Sequence, residues 1–233
     1  MEFDRFGDDT DPSLLFVLGW GNRSEHEPVR WLVDRLVAAD YHVHTATLPV
    51  HVTDVQREWV RPVETYAADL DDPAVLAHSA GGLTVAHADL DARTTTYLSP
   101  WWGFPPATES PLLDLLAKLP TDRRFLPSSI DDTALLGEHA TAQQVADAPD
   151  RVSPRFIRAV RRAHRTLPPA REEAVCFCSL SDRVVSTRAI GDRLGSDQIR
   201  LYDGGHELFS SRSRDEHLDT LLAALENGVD ALA

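Results

Sequence analysis

Val75-Leu76-Ala77-His78-Ser79-Ala80-Gly81-Gly82-Leu83-Thr84-Val85-Ala86 is the stretch on which the reading of this chain turns. An apolar run of strand composition breaks on one serine flanked by small residues and then re-enters a helix. A serine hydroxyl is a poor nucleophile, so it must be lifted out of the fold, set beside a base, and placed where a backbone amide faces the developing oxyanion. A sharp strand-to-helix turn supplies all three. The turn presses neighbouring backbones together, so positions two before and two after the serine tolerate only small side chains, and Ala77 and Gly81 stand there. Without chemistry, the same residues read as a helix N-capped by Ser79 and followed by a glycine pair.

Outward from this turn the chain alternates. Residues 14–18 form an apolar strand, the loop Gly19-Trp20-Gly21-Asn22 follows, and Val29, Leu32, Val33, Leu36 and Val37 recur at helical spacing over residues 28–39. Residues 41–48 read as a strand, 59–70 as a helix, 74–77 as the strand entering the turn, 82–90 as its helix, and 94–98 as a β-branched strand. After Leu98 the beat stops for some seventy residues, apart from a basic helix at 154–167. It resumes with strands at 173–180 and 198–202 and helices at 187–194 and 214–225. Strands alternating with helices of about 10 to 15 residues predict an α/β fold, a mostly parallel, doubly wound sheet with active-site groups at the carboxyl ends of its strands.

The turn around Ser79 resembles the nucleophile elbow of the α/β-hydrolase family, with Ala77 standing where that family usually has glycine. The resemblance implies one domain over residues 1–233, with a core at about 12–100 and 172–229 and a cap-like insertion at about 101–171. It implies a serine hydrolase that cleaves a carboxylic ester through a Ser-His-Asp triad and an acyl-enzyme, with Ser79 as nucleophile. His206, between the last strand and the last helix, holds the position of the family's catalytic histidine, and Asp182, at a strand end in Ser181-Asp182-Arg183-Val184-Val185, that of its acid. Asp203 is the second candidate for the acid. The chain order Ser79, Asp182, His206 is the one this fold uses. The oxyanion hole is assigned to the amides of Ala80 and of Trp20, with Gly21 as the alternative to Trp20. The family's histidine-glycine pair at that strand end is Leu18-Gly19 here, without the histidine. His78 is expected to be structural or pocket-lining.

Trp101, Trp102 and Phe104 follow the strand after the elbow, and are expected either to line an apolar substrate site or to anchor the insertion. Thioesterase, amidase and lactonase activities use the same groups, and a non-catalytic binding protein of this fold is the alternative of another class.

Length and composition fit this picture. The chain has 233 residues and a formal charge of −14, with Asp well in excess of Glu and Lys118 as the sole lysine. Such a chain repels phosphate backbones, so nucleic acid and anionic membrane surfaces are not expected partners, and a small ester substrate is. The cluster Arg155, Arg158, Arg161, Arg162 and Arg165 interrupts the trend. The Asp-rich, Lys-poor balance resembles that of proteins soluble in a high-salt cytoplasm. No run of 18 apolar residues occurs and the N-terminus is acidic, so a cytoplasmic protein without a membrane span is expected. Cys176 and Cys178 alternate onto one face of a strand as small core residues, and neither a metal nor an organic cofactor is expected.

Overall fold

The computed structural model describes residues 1–106, 115–128 and 132–232. Residues 107–114 and 129–131 of the expected insertion lie outside them.

Seven strands form one sheet in the order β1-β3-β2-β4-β5-β8-β9. They are β1 (Glu2–Phe6), β2 (Ser13–Val17), β3 (His42–Thr47), β4 (Ala74–His78), β5 (Thr94–Leu98), β8 (Val175–Cys178) and β9 (Ile199–Leu201). All neighbours pair parallel except β1, which runs antiparallel to β3 from Glu2 opposite Thr47 to Phe6 opposite Val43. Strand β1 was not expected; its alternation of charged and aromatic residues is brief, and its pairing is with a partner some forty residues away.

The central strands are buried on both sides, as parallel strands covered by helices must be. Leu14 and Phe16 of β2 face one layer with Val43, Leu76, Val175 and Phe177, under α1 (Glu27–Val37) and the last helix, α8 (Arg214–Asn227). Leu15 and Val17 face the other with Val75, Ala77, Cys176 and Cys178. That second layer is closed by α2 (Arg61–Ala67), α3 (Ala80–His87) and α6 (Pro154–Arg165). The helix expected at 59–70 begins earlier, as a π-helical turn over Gln56–Val60 that runs straight into α2. The expected strand at 173–180 is trimmed to four residues, and the chain leaves the sheet at Ser179.

Between β5 and β8 the described residues include a two-stranded ribbon, β6 (Leu126–Pro127) with β7 (Arg151–Val152), and the helices α4 (Thr133–Leu136), α5 (Ala142–Asp147) and α6. Thr141 and Gln144 close a reciprocal capping box at the start of α5, which satisfies backbone donors that this six-residue helix cannot satisfy internally. A short helix, α7 (Thr187–Gly191), precedes β9.

Candidate active site

Ser79 sits between β4 and α3 with φ 51° and ψ −114°, a conformation an L-residue adopts only when its surroundings impose it. Three backbone bonds do so. Ser79 N donates to Leu98 O at 3.0 Å, and Ser79 O accepts from Leu83 N at 3.2 Å and Trp101 N at 2.8 Å. A strained residue of this kind costs about 1–3 kcal/mol. Tight packing enforces the turn as well: a Cβ on Gly81 would meet Val17 O at 2.1 Å, and one on Gly82 would meet Pro100 Cβ at 2.6 Å. Ala77, between Val17 and Tyr97 in the sheet, has room for its methyl group and is fully buried. The amide of Ala80 opens α3, where N–H groups have no partner within the helix.

His206 lies in the loop after β9 and is 2 % exposed; its Nδ1 donates to Asp182 Oδ2 at 2.8 Å, and the Asp182 side chain is wholly buried. Asp182 Oδ1 accepts from Val184 N at 2.7 Å and Val185 N at 3.1 Å, so one carboxylate oxygen is fixed by backbone and the other by the ring. Burial alone pushes the His206 imidazolium down, but the Asp182 charge and hydrogen bond, with the Glu207 charge, hold its pKa above the ordinary 6.5. Burial likewise works to raise Asp182, and the His206 charge and hydrogen bond with the Val185 and Val184 amides hold it below 3.8. Tyr202 pins the loop: its hydroxyl donates to His206 O at 2.8 Å and Gly205 O at 3.0 Å, and lies 3.1 Å from Ser99 Oγ. Asp203, the second candidate for the acid, pairs instead with Arg212 at the surface.

Ser79 and His206 line the same cavity, of about 20 Å³, about the room one water needs. Among the described residues the Ser79 hydroxyl makes no hydrogen bond, and catalytic contacts of this kind are often long until substrate binds. Trp20, Gly21, Asn22 and His78 complete the cavity on one side; Leu136, Gln144 and Ala148 of the insertion and Glu207 complete it on the other. Asn22 N donates to Gly19 O at 3.1 Å and Gly21 takes φ 87°, which forms a tight turn after β2 at the edge of the cavity. The Trp20 ring is held away by its donation to Val50 O at 2.9 Å and by stacking on Phe156.

Trp101, Trp102 and Phe104 are not brought to this cavity. Trp102 is buried against Tyr97 and donates to Gly82 O at 3.3 Å, while Trp101 and Phe104 pack on one another and on His164 of α6. The Trp101 contribution near the site is its backbone N–H to Ser79 O. His78 lines the cavity: its ring lies 4.9 Å from that of His206, its Nδ1 is 3.1 Å from Asn22 Oδ1, and burial holds its pKa well below 6.5. Sequence reasoning did not reach Asn22, Gln144 or Glu207, whose mutual bonds span 63 and 185 positions, nor Tyr202, which meets Ser99 from 103 positions away. Among the described residues no group of three or more His, Cys, Asp or Glu is placed to hold a metal ion, and no helix is long and apolar enough to cross a membrane.

The chain belongs to the α/β-hydrolase family: a profile described as the alpha/beta hydrolase family matches residues 14–219, which hold the elbow, Asp182 and His206. Solved structures share the fold across nearly the whole chain. A monoacylglycerol lipase of Paleococcus ferrophilus is 20 % identical with a TM-score of 0.72, over 99 % of this chain and 98 % of that one. A soluble variant of monoglyceride lipase from Saccharomyces cerevisiae, in complex with a substrate analogue, is 16 % identical with a TM-score of 0.72, over 96 % and 90 %. An esterase of Exiguobacterium antarcticum is 13 % identical with a TM-score of 0.66, over 96 % and 94 %. No curated protein matches the sequence.

Proposed function

We propose that this protein is a serine hydrolase of uncharged carboxylic esters, with Ser79 as nucleophile, His206 as general base and acid, Asp182 as the carboxylate that orients the ring, and the Ala80 and Trp20 amides as oxyanion donors. The observation that carries the reading is a buried carboxylate–imidazole pair opening onto the same cavity as a serine held in a strained turn. With Nδ1 committed to Asp182, the neutral ring presents an unprotonated Nε2, which takes the Ser79 proton as Oγ bonds to the ester carbonyl carbon. The negative charge passes to the carbonyl oxygen, where amides at the start of α3 and in the turn after β2 face it. Collapse expels the alcohol, which receives the proton from His206 and leaves an acyl-Ser79. Water, deprotonated by the same nitrogen, then releases the carboxylic acid and restores the serine. The lipase and esterase activities named for structures of the same fold agree with this chemistry.

In the same reading the domain is single, and the chain between β5 and β8 is a cap, because Leu136, Gln144 and Ala148 close the cavity over Ser79. p-Nitrophenyl acetate, a small uncharged ester, is the substrate for a test. The protein is expected to turn it over, and Ser79→Ala to reduce the rate by several orders of magnitude. Equal rates for the two would refute the assignment.

A further inference from the structure

Next to His206 lies a second buried carboxylate that the hydrolytic mechanism does not use. Glu207 is 1 % exposed, and its oxygens meet only donors. Asn22 Nδ2 donates to Oε1 at 2.9 Å; Gln144 Nε2 donates to Oε2 at 2.9 Å, and the Ser210 hydroxyl donates to Oε2 as well. The Gln144 amide is oriented independently, since its oxygen accepts from Thr141 N at 2.9 Å in the capping box, so its nitrogen faces the glutamate. Asn22 Oδ1 in turn meets His78 Nδ1 at 3.1 Å. A Cβ on Gly19 would stand 2.5 Å from His78 Nδ1 and 2.6 Å from Asn22 Oδ1, so the glycine there makes room for this pair.

The partners come from four separate segments. Asn22 closes the turn that carries the Trp20 amide, His78 precedes the nucleophile, Gln144 belongs to the insertion, and Glu207 is joined by a peptide bond to His206. Burying a carboxylate without a cation is costly unless its lone pairs are filled, so a network of this kind is rigid only when complete. We propose that Glu207 is a positioning residue for ester hydrolysis, its carboxylate fixing the oxyanion turn and the cap against the loop that presents His206. The proposal rests on the serine-hydrolase reading above. Backbone bonds run the same way, from His206 N to Leu135 O at 2.9 Å and from Glu207 N to Leu136 O at 2.8 Å, so the side-chain network reinforces an existing seam.

The groups facing His206 are Asp182 from the loop after β8, His78 from the end of β4, Tyr202 from the end of β9, Ser79, and Glu207 itself. His78 is kept neutral by burial, and burial pushes the Tyr202 phenol up, so the charges acting on the ring are the two carboxylates. A residue that only filled space would leave the titration of His206 alone, whereas removing this charge lowers it.

The test uses the whole protein and p-nitrophenyl acetate with Glu207→Gln, Glu207→Asp and Asn22→Ala. Glu207→Gln is expected to lower kcat about 10- to 100-fold, less than the roughly 10²- to 10³-fold cost of losing an oxyanion donor, with KM within about threefold. Its acid limb should move to lower pH. Glu207→Asp keeps the charge on a shorter arm, so kcat should fall while the limb stays at its wild-type pH. Asn22→Ala, which cuts the link from Glu207 to the oxyanion turn and the contact with His78 but leaves both carboxylates in place, should lower kcat with the limb unmoved, and it serves alone if the glutamate variants do not fold. Folded variants with wild-type kcat and acid limb would overturn the proposal, as would a loss of rate wholly explained by a loss of folded protein. A wild type that is inactive and carries no reactive Ser79 would remove the hydrolase reading, and this proposal with it.

Discussion

Replacing Asp182 by asparagine tests how the carboxylate acts on the ring. Oδ1 is held by the amides of Val184 and Val185, so the asparagine oxygen stays there and its NH2 group faces His206 Nδ1. Two donors then confront each other. The ring relieves this by moving its proton to Nε2, and the nitrogen that should accept the Ser79 proton now carries one. The loss of the productive tautomer is expected to lower kcat by about 10⁴, or ~5.4 kcal/mol of transition-state stabilisation. With its main stabilising charge gone, burial dominates His206, so the acid limb of kcat/KM, above pH 6.5 in the wild type, moves to lower pH. The stability change has a window of its own. The Asp182 contribution is present above 3.8 and lost as pH falls through its lowered folded value, and the His206 contribution is present below 6.5 and lost as pH rises through its raised one. Wild type and variant should therefore differ most in thermal stability between these two values. The assay is p-nitrophenyl acetate turnover from about pH 5 to about pH 9, with melts on the same samples. A folded Asp182→Asn protein within tenfold of wild-type kcat, or with an unmoved acid limb, would refute the reasoning.

Other expectations follow from packing and charge. Gly81→Ala places a methyl group 2.1 Å from a backbone carbonyl that cannot turn aside, so a loss of at least about 1–3 kcal/mol is expected by urea unfolding. Gly191→Ala, with nothing within 4 Å at the end of α7, should be neutral or stabilising by up to about 1 kcal/mol in the same experiment. Cys176 and Cys178 are buried in the core, and burial raises the Cys176 thiol, so Ellman's reagent should titrate both only after unfolding; prompt reaction of the native protein would contradict that placement. At a formal charge of −14, molar KCl should raise Tm by screening self-repulsion, and a Tm that is flat or falling with salt would count against a salt-adapted surface.

The parts of the fold legible in sequence were those encoded locally. Thr94–Leu98 and Ala74–His78 lie within one residue of their expected bounds because parallel strands covered on both faces must be apolar or β-branched throughout. The elbow was legible because its demands fall on consecutive residues, and the Gly81 contact with Val17 shows why one of them is glycine. Strand β1 was missed because its place depends on β3, and α4 because four residues carry no helical period. The aromatic run after β5 left two placements open for a related reason: adjacency to the site in sequence says nothing of side-chain direction, and in the structure Trp102 turns under Gly82 into the core while Trp101 and Phe104 pack on the insertion. Glu207 read as one more acidic residue of an acidic chain; only folding brings to it Asn22 from 185 positions away and Gln144 from 63.

Peptide mapping after treatment with a fluorophosphonate is the most direct measurement of whether this turn and ring make an activated serine. A single phosphonyl adduct on the tryptic peptide containing Ser79, abolished in Ser79→Ala and strongly slowed in Asp182→Asn, is the predicted result. An adduct on another residue, or an unmodified Ser79 in folded protein, would contradict it.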